Sequence, residues 1–368
     1  MAGLPDLEGL IRSKFTVKEF FALPEGELEF QVAYTSETKA AFARLESELS
    51  PQGYRPELTG TKDEAVLTIR RSGPERKETS RAPVVLALFT LASVVVFAIG
   101  EVLNYQQLAP AVSGYYVLFA FAIGTMAVLG GHELGQLVFS RRRRAGHASS
   151  YLIPWLPFLP PAPSLGFTSS QREPALNKDA LFDTVLAGPL LMLAFALVIY
   201  AIGDVTSAQS ALLYQWAHNG NSTRLTNPNV IEASMDAILG PVLPKAVAGA
   251  LPISPLADAA TVGFIIIFID LLPMATFDGG LLLNTAWGEN AVRVVTYFTA
   301  FGLLILDTPT YWALAVFALL LAGRPSNLKV LDGISGLTRS RQWIFVGALV
   351  LAFLCLPVPH NLGTISLP

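Results

Sequence analysis

Two short stretches of the chain hold residue types that apolar sequence seldom carries. The first is LGGHELGQLVFSRRRR, Leu129 to Arg144, with His132, Glu133 and Gln136. On a helix, positions i and i+4 share a face, so His132 and Gln136 point the same way with Glu133 beside them. With histidine at both positions this geometry supplies two zinc ligands and a general base. Here a glutamine stands in the second place, neutral and a poorer zinc donor than imidazole. A catalytic zinc also needs a third protein ligand and an open position for water. The second stretch is IDLLPMATFDGGLLL, which sets Asp270, Asp278 and the chain breakers Pro273, Gly279 and Gly280 in an otherwise apolar run. An ionisable side chain at membrane depth is expensive and by default marks function.

The elements that must position these residues follow from composition. At 368 residues, 52% hydrophobic and 14% charged, the chain is too apolar for a soluble protein. Apolar runs long enough to cross a hydrocarbon core of about 20 residues recur along it. We place them near Ala82 to Gly100, Tyr115 to Phe139, Asp179 to Gly203, Ala259 to Leu283, Ala291 to Leu306, Thr310 to Gly323 and Gln342 to Pro357. The predicted fold class is an α-helical polytopic membrane protein of about six to seven transmembrane helices. The net charge of -3 is near neutral and by itself says nothing about nucleic acid; the expected partners are membrane proteins and the lipid bilayer, with no nucleic acid among them. The single cysteine, Cys355, excludes an intrachain disulfide, and no early apolar stretch suggests a cleavable signal peptide.

Charge placement predicts orientation, because Lys and Arg of short loops are retained on the cytoplasmic side. Arg70, Arg71, Arg76, Lys77 and Arg81 precede the first span, and Arg141 to Arg144, Arg172 and Lys178 follow the second. Arg293, and then Arg324, Lys329, Arg339 and Arg341, fall on the same side if the spans alternate. The amino terminus is therefore predicted to be cytoplasmic. The second and fourth spans both run inward, which puts His132 and Asp278 at similar depth, where one metal could join them.

Residues 1–80 read as a small soluble α+β domain. KFTVKEFFAL and ELEFQVAY alternate like strands, SETKAAFARLESELS puts Phe42, Leu45 and Leu49 on one helical face, and GYRPELTG and AVLTIRR flank the turn TKDE. Tyr151 to Phe167, YLIPWLPFLPPAPSLGF, is apolar but broken by five prolines, so it is no regular helix. Such backbone is tolerated at membrane depth only beside protein or a water-filled cavity, so the segment reads as a re-entrant Pro-rich loop next to a wet site, with a plain cytoplasmic surface loop as the alternative. Of the other histidines, His147 would need a fold-back to reach the metal, and His218 and His360 are predicted on the opposite side. From the residues alone three functions stay open: a metal-dependent hydrolase, a silent relative that binds membrane clients, and a transporter using Asp270, Asp278 and Glu133 as a proton path.

The chain resembles the site-2 protease family of intramembrane zinc metalloproteases, peptidase family M50, in the branch with a soluble amino-terminal domain. HELGQ and DLLPMATFDGG are similar to the family's H-E-x-x-H and N-x-x-P-x-x-x-x-D-G, and LGFTSSQREPALNKDALFDTVLAGPL is similar to the segment between metal helix and next span. The resemblance implies a 1–80 cytoplasmic domain and an 81–368 membrane metalloprotease-like domain with its core at about 112–285. It also implies zinc held by His132 and Asp278, with Gln136 a weak or lost ligand and Glu133 the catalytic base. Asp270, Pro273 and Gly279 would position substrate, a transmembrane helix of another protein within the lipid bilayer, with the alternative that Asp270 is a neutral carboxyl hydrogen-bonded to a neighbouring helix. Departures from the family pattern are Gln136, Asp270 in place of asparagine, Ser254 where relatives often carry histidine, and Leu281 where they often carry arginine or histidine.

Overall fold

The computed structural model describes residues 7–23, 27–72, 81–108, 112–143, 148–155, 162–171, 173–208, 229–239, 254–275, 277–305, 309–322 and 329–356. Near the amino terminus, apolar alternation builds a sheet. Phe30 and Val32 of β2 (Leu28–Val32), Leu58 of β3 (Tyr54–Gly60) and Ala65, Leu67 and Ile69 of β4 (Ala65–Arg71) all turn inward. They meet Ile11 of α1 (Leu7–Lys14) and Phe42, Leu45 and Leu49 of α2 (Thr38–Leu49), whose spacing makes one apolar stripe. β1 (Val17–Ala22) pairs antiparallel with β2, β2 with β4, and β4 with β3 around the predicted turn, where Gly60 faces Ala65.

This sheet does not end at its own hairpin. Its order is β1-β2-β4-β3-β8-β7, and the last two strands come from far along the chain. β7 (Ala175–Asn177) and β8 (Val330–Asp332) are parallel to each other, and β8 is parallel to β3 with Leu58 opposite Asp332. Leu331 joins the core of the amino-terminal region. The backbone edge that β3 would otherwise expose is thus covered by strands flanking the helical region.

The rest of the described chain is mostly helical. α3 (Ala82–Leu108), α4 (Gly114–Arg143) and α5 (Lys178–Ala208) contain the three segments long and apolar enough to cross a membrane, Ala82–Gln107, Gly114–Arg142 and Lys178–Thr206. Shorter helices follow: α6 (Val230–Leu239), α7 (Pro255–Leu271), α8 (Asp278–Trp287), α9 (Glu289–Ile305), α10 (Pro309–Leu321) and α11 (Arg339–Leu354). The fourth predicted span, Ala259 to Leu283, is corrected by this arrangement: it is two helices. α7 stops at Leu271, Pro273 lies in the break, and α8 restarts at Asp278. Proline disfavours helix in the residue before it and lacks the N–H needed to continue the ladder.

α7 lies at the centre, almost entirely buried, against α4 and α5. Ser254 caps its first turn, accepting from the Ala257 N–H, and Pro255 occupies the first helical position. The Pro-rich segment forms an antiparallel hairpin, β5 (Ala148–Pro154) with β6 (Ser164–Gln171), and Trp155 N–H continues it to the Pro163 carbonyl. The remainder of that segment, 156–161, lies outside the described residues.

Candidate metal centre

The site is made possible by small residues between α4 and α5. A Cβ on Gly135 would come within 2.3 Å of the Ala187 carbonyl oxygen, and one on Gly188 within 2.5 Å of His132 Nε2. These helices therefore approach closely through glycine, as small residues allow in membrane bundles. The gap left by Gly188 is where the imidazole lies. Gly188 lies in the stretch LGFTSSQREPALNKDALFDTVLAGPL, and nothing in its spacing alone marks it for a role.

His132 (α4), Asp270 (α7) and Asp278 (α8) converge there, each wholly buried. His132 Nε2 is 2.9 Å from Asp278 Oδ2 and 3.2 Å from Asp270 Oδ2. The ligand atoms of the three residues lie within 4.8 Å of one another. The expected meeting of His132 and Asp278 is present, and Asp270, expected to contact substrate, stands beside them. Its arrival follows from the break after Leu271: the last turn of α7 and the first turn of α8 face the same pocket, which one continuous helix would not allow.

Gln136, one turn beyond His132 and 1% exposed, donates from Nε2 to Asp278 Oδ2 at 3.1 Å. Glu133 is half-buried and outside the three-residue set. Pro273 is half-buried in the break. Gly279 packs the start of α8 onto the end of α7, since a Cβ there would meet the Leu271 carbonyl oxygen at 2.2 Å. Leu281 is buried in the core. His147, His218 and His360 lie outside the described residues.

The hairpin covers the cluster. Phe167 of β6 stacks its ring on His132, with centroids 3.6 Å apart and planes 7° from parallel. The Phe167 N–H donates to Asp270 Oδ1 at 3.2 Å. Gly166, at φ 102°, sits where a side chain would press on Asp270: its Cβ would be 3.1 Å from Oδ1.

Do these residues suit a metal? Asp270 Oδ2 and His132 Nδ1 are buried and take part in no hydrogen bond. Two carboxylates face one imidazole in an interior where uncompensated charge is costly. One nitrogen and two oxygen donors, arriving from three helices, match the ligand types of zinc. The donor set fits the ion.

A helical membrane scaffold with a buried His-Asp-Asp centre and an adjacent Glu on the histidine helix defines a membrane metallopeptidase scaffold. The chain belongs to peptidase family M50, whose family model matches residues 120–306. It is similar to the "Probable zinc metalloprotease EGY3, chloroplastic" of Oryza sativa subsp. indica and of subsp. japonica, each 28% identical over 269 residues, which is 69% of this chain and 44% of the relative. It is also similar to the "Probable zinc metallopeptidase EGY3, chloroplastic" of Arabidopsis thaliana, 27% identical over 186 residues, 48% of this chain and 31% of the relative. The chain thus spans less than half the length of the curated relatives it matches. No solved structure matches it. Zinc is the cofactor that this family and these relatives imply.

Proposed function

We propose that the protein is an intramembrane zinc endopeptidase of the site-2 type, slowed by glutamine at position 136, acting on transmembrane segments of other proteins. The observation that carries this reading is the buried convergence of His132, Asp270 and Asp278 inside an M50 scaffold. His132 and Asp278 would hold the ion. When bound, zinc polarises a scissile carbonyl and makes its water acidic enough to lose a proton near neutral pH.

Glu133 would take that proton at its carboxylate and return it to the departing amine. Its partial exposure suits a group that must meet both water and substrate. A helical substrate must unwind to expose an amide, and an unwound chain needs backbone partners. Among the described residues the β5–β6 pair is a sheet of two strands, so an extended segment could add at an outer edge away from Phe167, whose N–H is taken by Asp270. Pro273 and Gly279 would shape the floor of that groove beside Asp270.

On this reading the chain crosses the lipid bilayer about six to seven times, with amino terminus and metal centre toward the cytoplasm, as the positive-charge placement suggests. Residues 1–80 form a cytoplasmic domain, and 81–368 the membrane unit. A second reading, a catalytically silent protein that holds membrane clients, is favoured by Phe167, whose ring lies on His132 and whose N–H engages Asp270.

Purified protein in proteoliposomes, loaded with zinc and given a labelled transmembrane peptide, separates the two. The peptidase reading expects internal cleavage, chelator-sensitive and lost in Glu133→Gln. Peptide binding with no cleavage in the zinc-loaded protein favours the client holder.

A further inference from the structure

We infer that Asp270 is the third metal ligand of this protein, and that Gln136 is not a ligand but holds Asp278 in place. The inference deepens the peptidase reading and takes from it only the choice of zinc as the ion.

Three observations support it. Gln136 turns an N–H toward Asp278 Oδ2 at 3.1 Å, and an amide nitrogen that donates to a ligand atom cannot itself bind the cation. Asp270 Oδ2 is wholly buried, takes no hydrogen bond, and lies 3.2 Å from the same Nε2 that Asp278 approaches at 2.9 Å. Its second oxygen is held by the Phe167 N–H, which fixes the carboxylate with Oδ2 toward the cluster.

Separations agree. Two ligands each about 2.0–2.1 Å from one tetrahedral ion stand about 3.3 Å apart. The donor pairs that include Nε2 stand 2.9 and 3.2 Å apart, so small outward shifts would admit the ion. The ligand that α4 lacks at position 136 is then supplied by the last turn of α7. The centre becomes one imidazole and two carboxylates.

Full-length protein in detergent, stripped with chelator and titrated with zinc chloride, provides the test, together with the zinc-edge absorption spectrum of the loaded wild type. We expect wild type to bind a single zinc ion through one imidazole. Asp270→Asn should weaken binding at least about 100-fold and Gln136→Ala about 10-fold, the loss typical of a group that orients a ligand. The double variant Asp270→Asn/Gln136→His, which moves the third donor back to α4, should recover binding. The assignment is overturned if Asp270→Asn holds zinc as tightly as wild type, if wild type takes up no zinc, or if the spectrum requires two imidazoles. The spectrum and the double variant decide the matter even if Asp270→Asn alone fails to fold. Cleavage is read separately. Zinc bound through Asp270 without cleavage sinks the peptidase reading and leaves this assignment standing; cleavage by a protein indifferent to Asp270→Asn does the reverse.

Discussion

Two carboxylate pairs lie near α5, and they are balanced in opposite ways. At its amino-terminal end, Arg341 grips Asp183 with two hydrogen bonds of 2.7 and 2.8 Å and reaches Asp179 at 3.1 Å. Lys39, from the amino-terminal region, meets Asp179 at 2.8 Å. Two carboxylates thus face two permanent cations, and the network ties α2, α5 and α11 together. Further along α5, beside Gly188, Asp270 and Asp278 face one imidazole and no hydrogen bond reaches Asp270 Oδ2. The first arrangement is complete in protein alone. The second has at most one positive charge, on His132, for two carboxylates, in a place where such a deficit costs most. The difference separates a structural network from a site built to receive a cation.

Breaking the comparison at the site should have the largest effect. Glu133→Gln is expected to slow peptide cleavage by about 10²- to 10⁴-fold, the usual worth of a general base, with zinc uptake unchanged. Cleavage kinetics beside metal analysis check this, and a variant as fast as wild type removes Glu133 from the mechanism. Gly188→Val comes next. Its Cβ would lie 2.5 Å from His132 Nε2, so it should displace the ring, weaken zinc binding and destabilise the fold by about 1–3 kcal/mol. Unaltered zinc affinity in this variant would mean that the ring position does not matter.

Arg341→Ala sharpens the contrast. It removes charge-assisted bonds to Asp183 and Asp179, and a loss of about 1.5–3 kcal/mol in unfolding free energy is expected. Zinc affinity should stay as it was, which titration of the folded variant would read. The smallest effect is that of salt. Going from about 0.1 M to about 1 M shortens screening from about 10 Å to about 3 Å. The partly exposed Lys39–Asp179 pair should weaken by less than about 1 kcal/mol, while zinc affinity at the buried cluster barely moves. A steep salt dependence of zinc binding would contradict the burial argument.

Much of this contrast was legible in the letters of the chain, unevenly. His132 and Asp278 stood out because helical spacing and the price of membrane charge are local arguments. The amino-terminal sheet showed in alternation around Phe30, Val32, Leu67 and Ile69, and in the stripe of Phe42, Leu45 and Leu49. Asp270 was visible as a costly residue, yet its place beside the metal helix was not. That depends on the chain stopping at Leu271 and restarting at Asp278, and hydropathy alone reads through such a break. β7 and β8, three residues each, are too short for any period; their pairing with β3 is a tertiary event. The hairpin of β5 and β6 hid behind its prolines, which ruled out a helix without naming what replaced it. Gly188 could have been found by asking which glycine lies opposite His132, a question that needs the α4–α5 register first.

The central claim is that the buried His132–Asp270–Asp278 cluster is a metal centre and not a salt-bridged structural core. Zinc content measured on full-length wild type, purified without chelator and equilibrated with trace zinc, tests it most directly. The account expects stoichiometric zinc that is lost in His132→Ala. Wild type that equilibrates to no bound zinc, and is as stable with chelator as without, would contradict it.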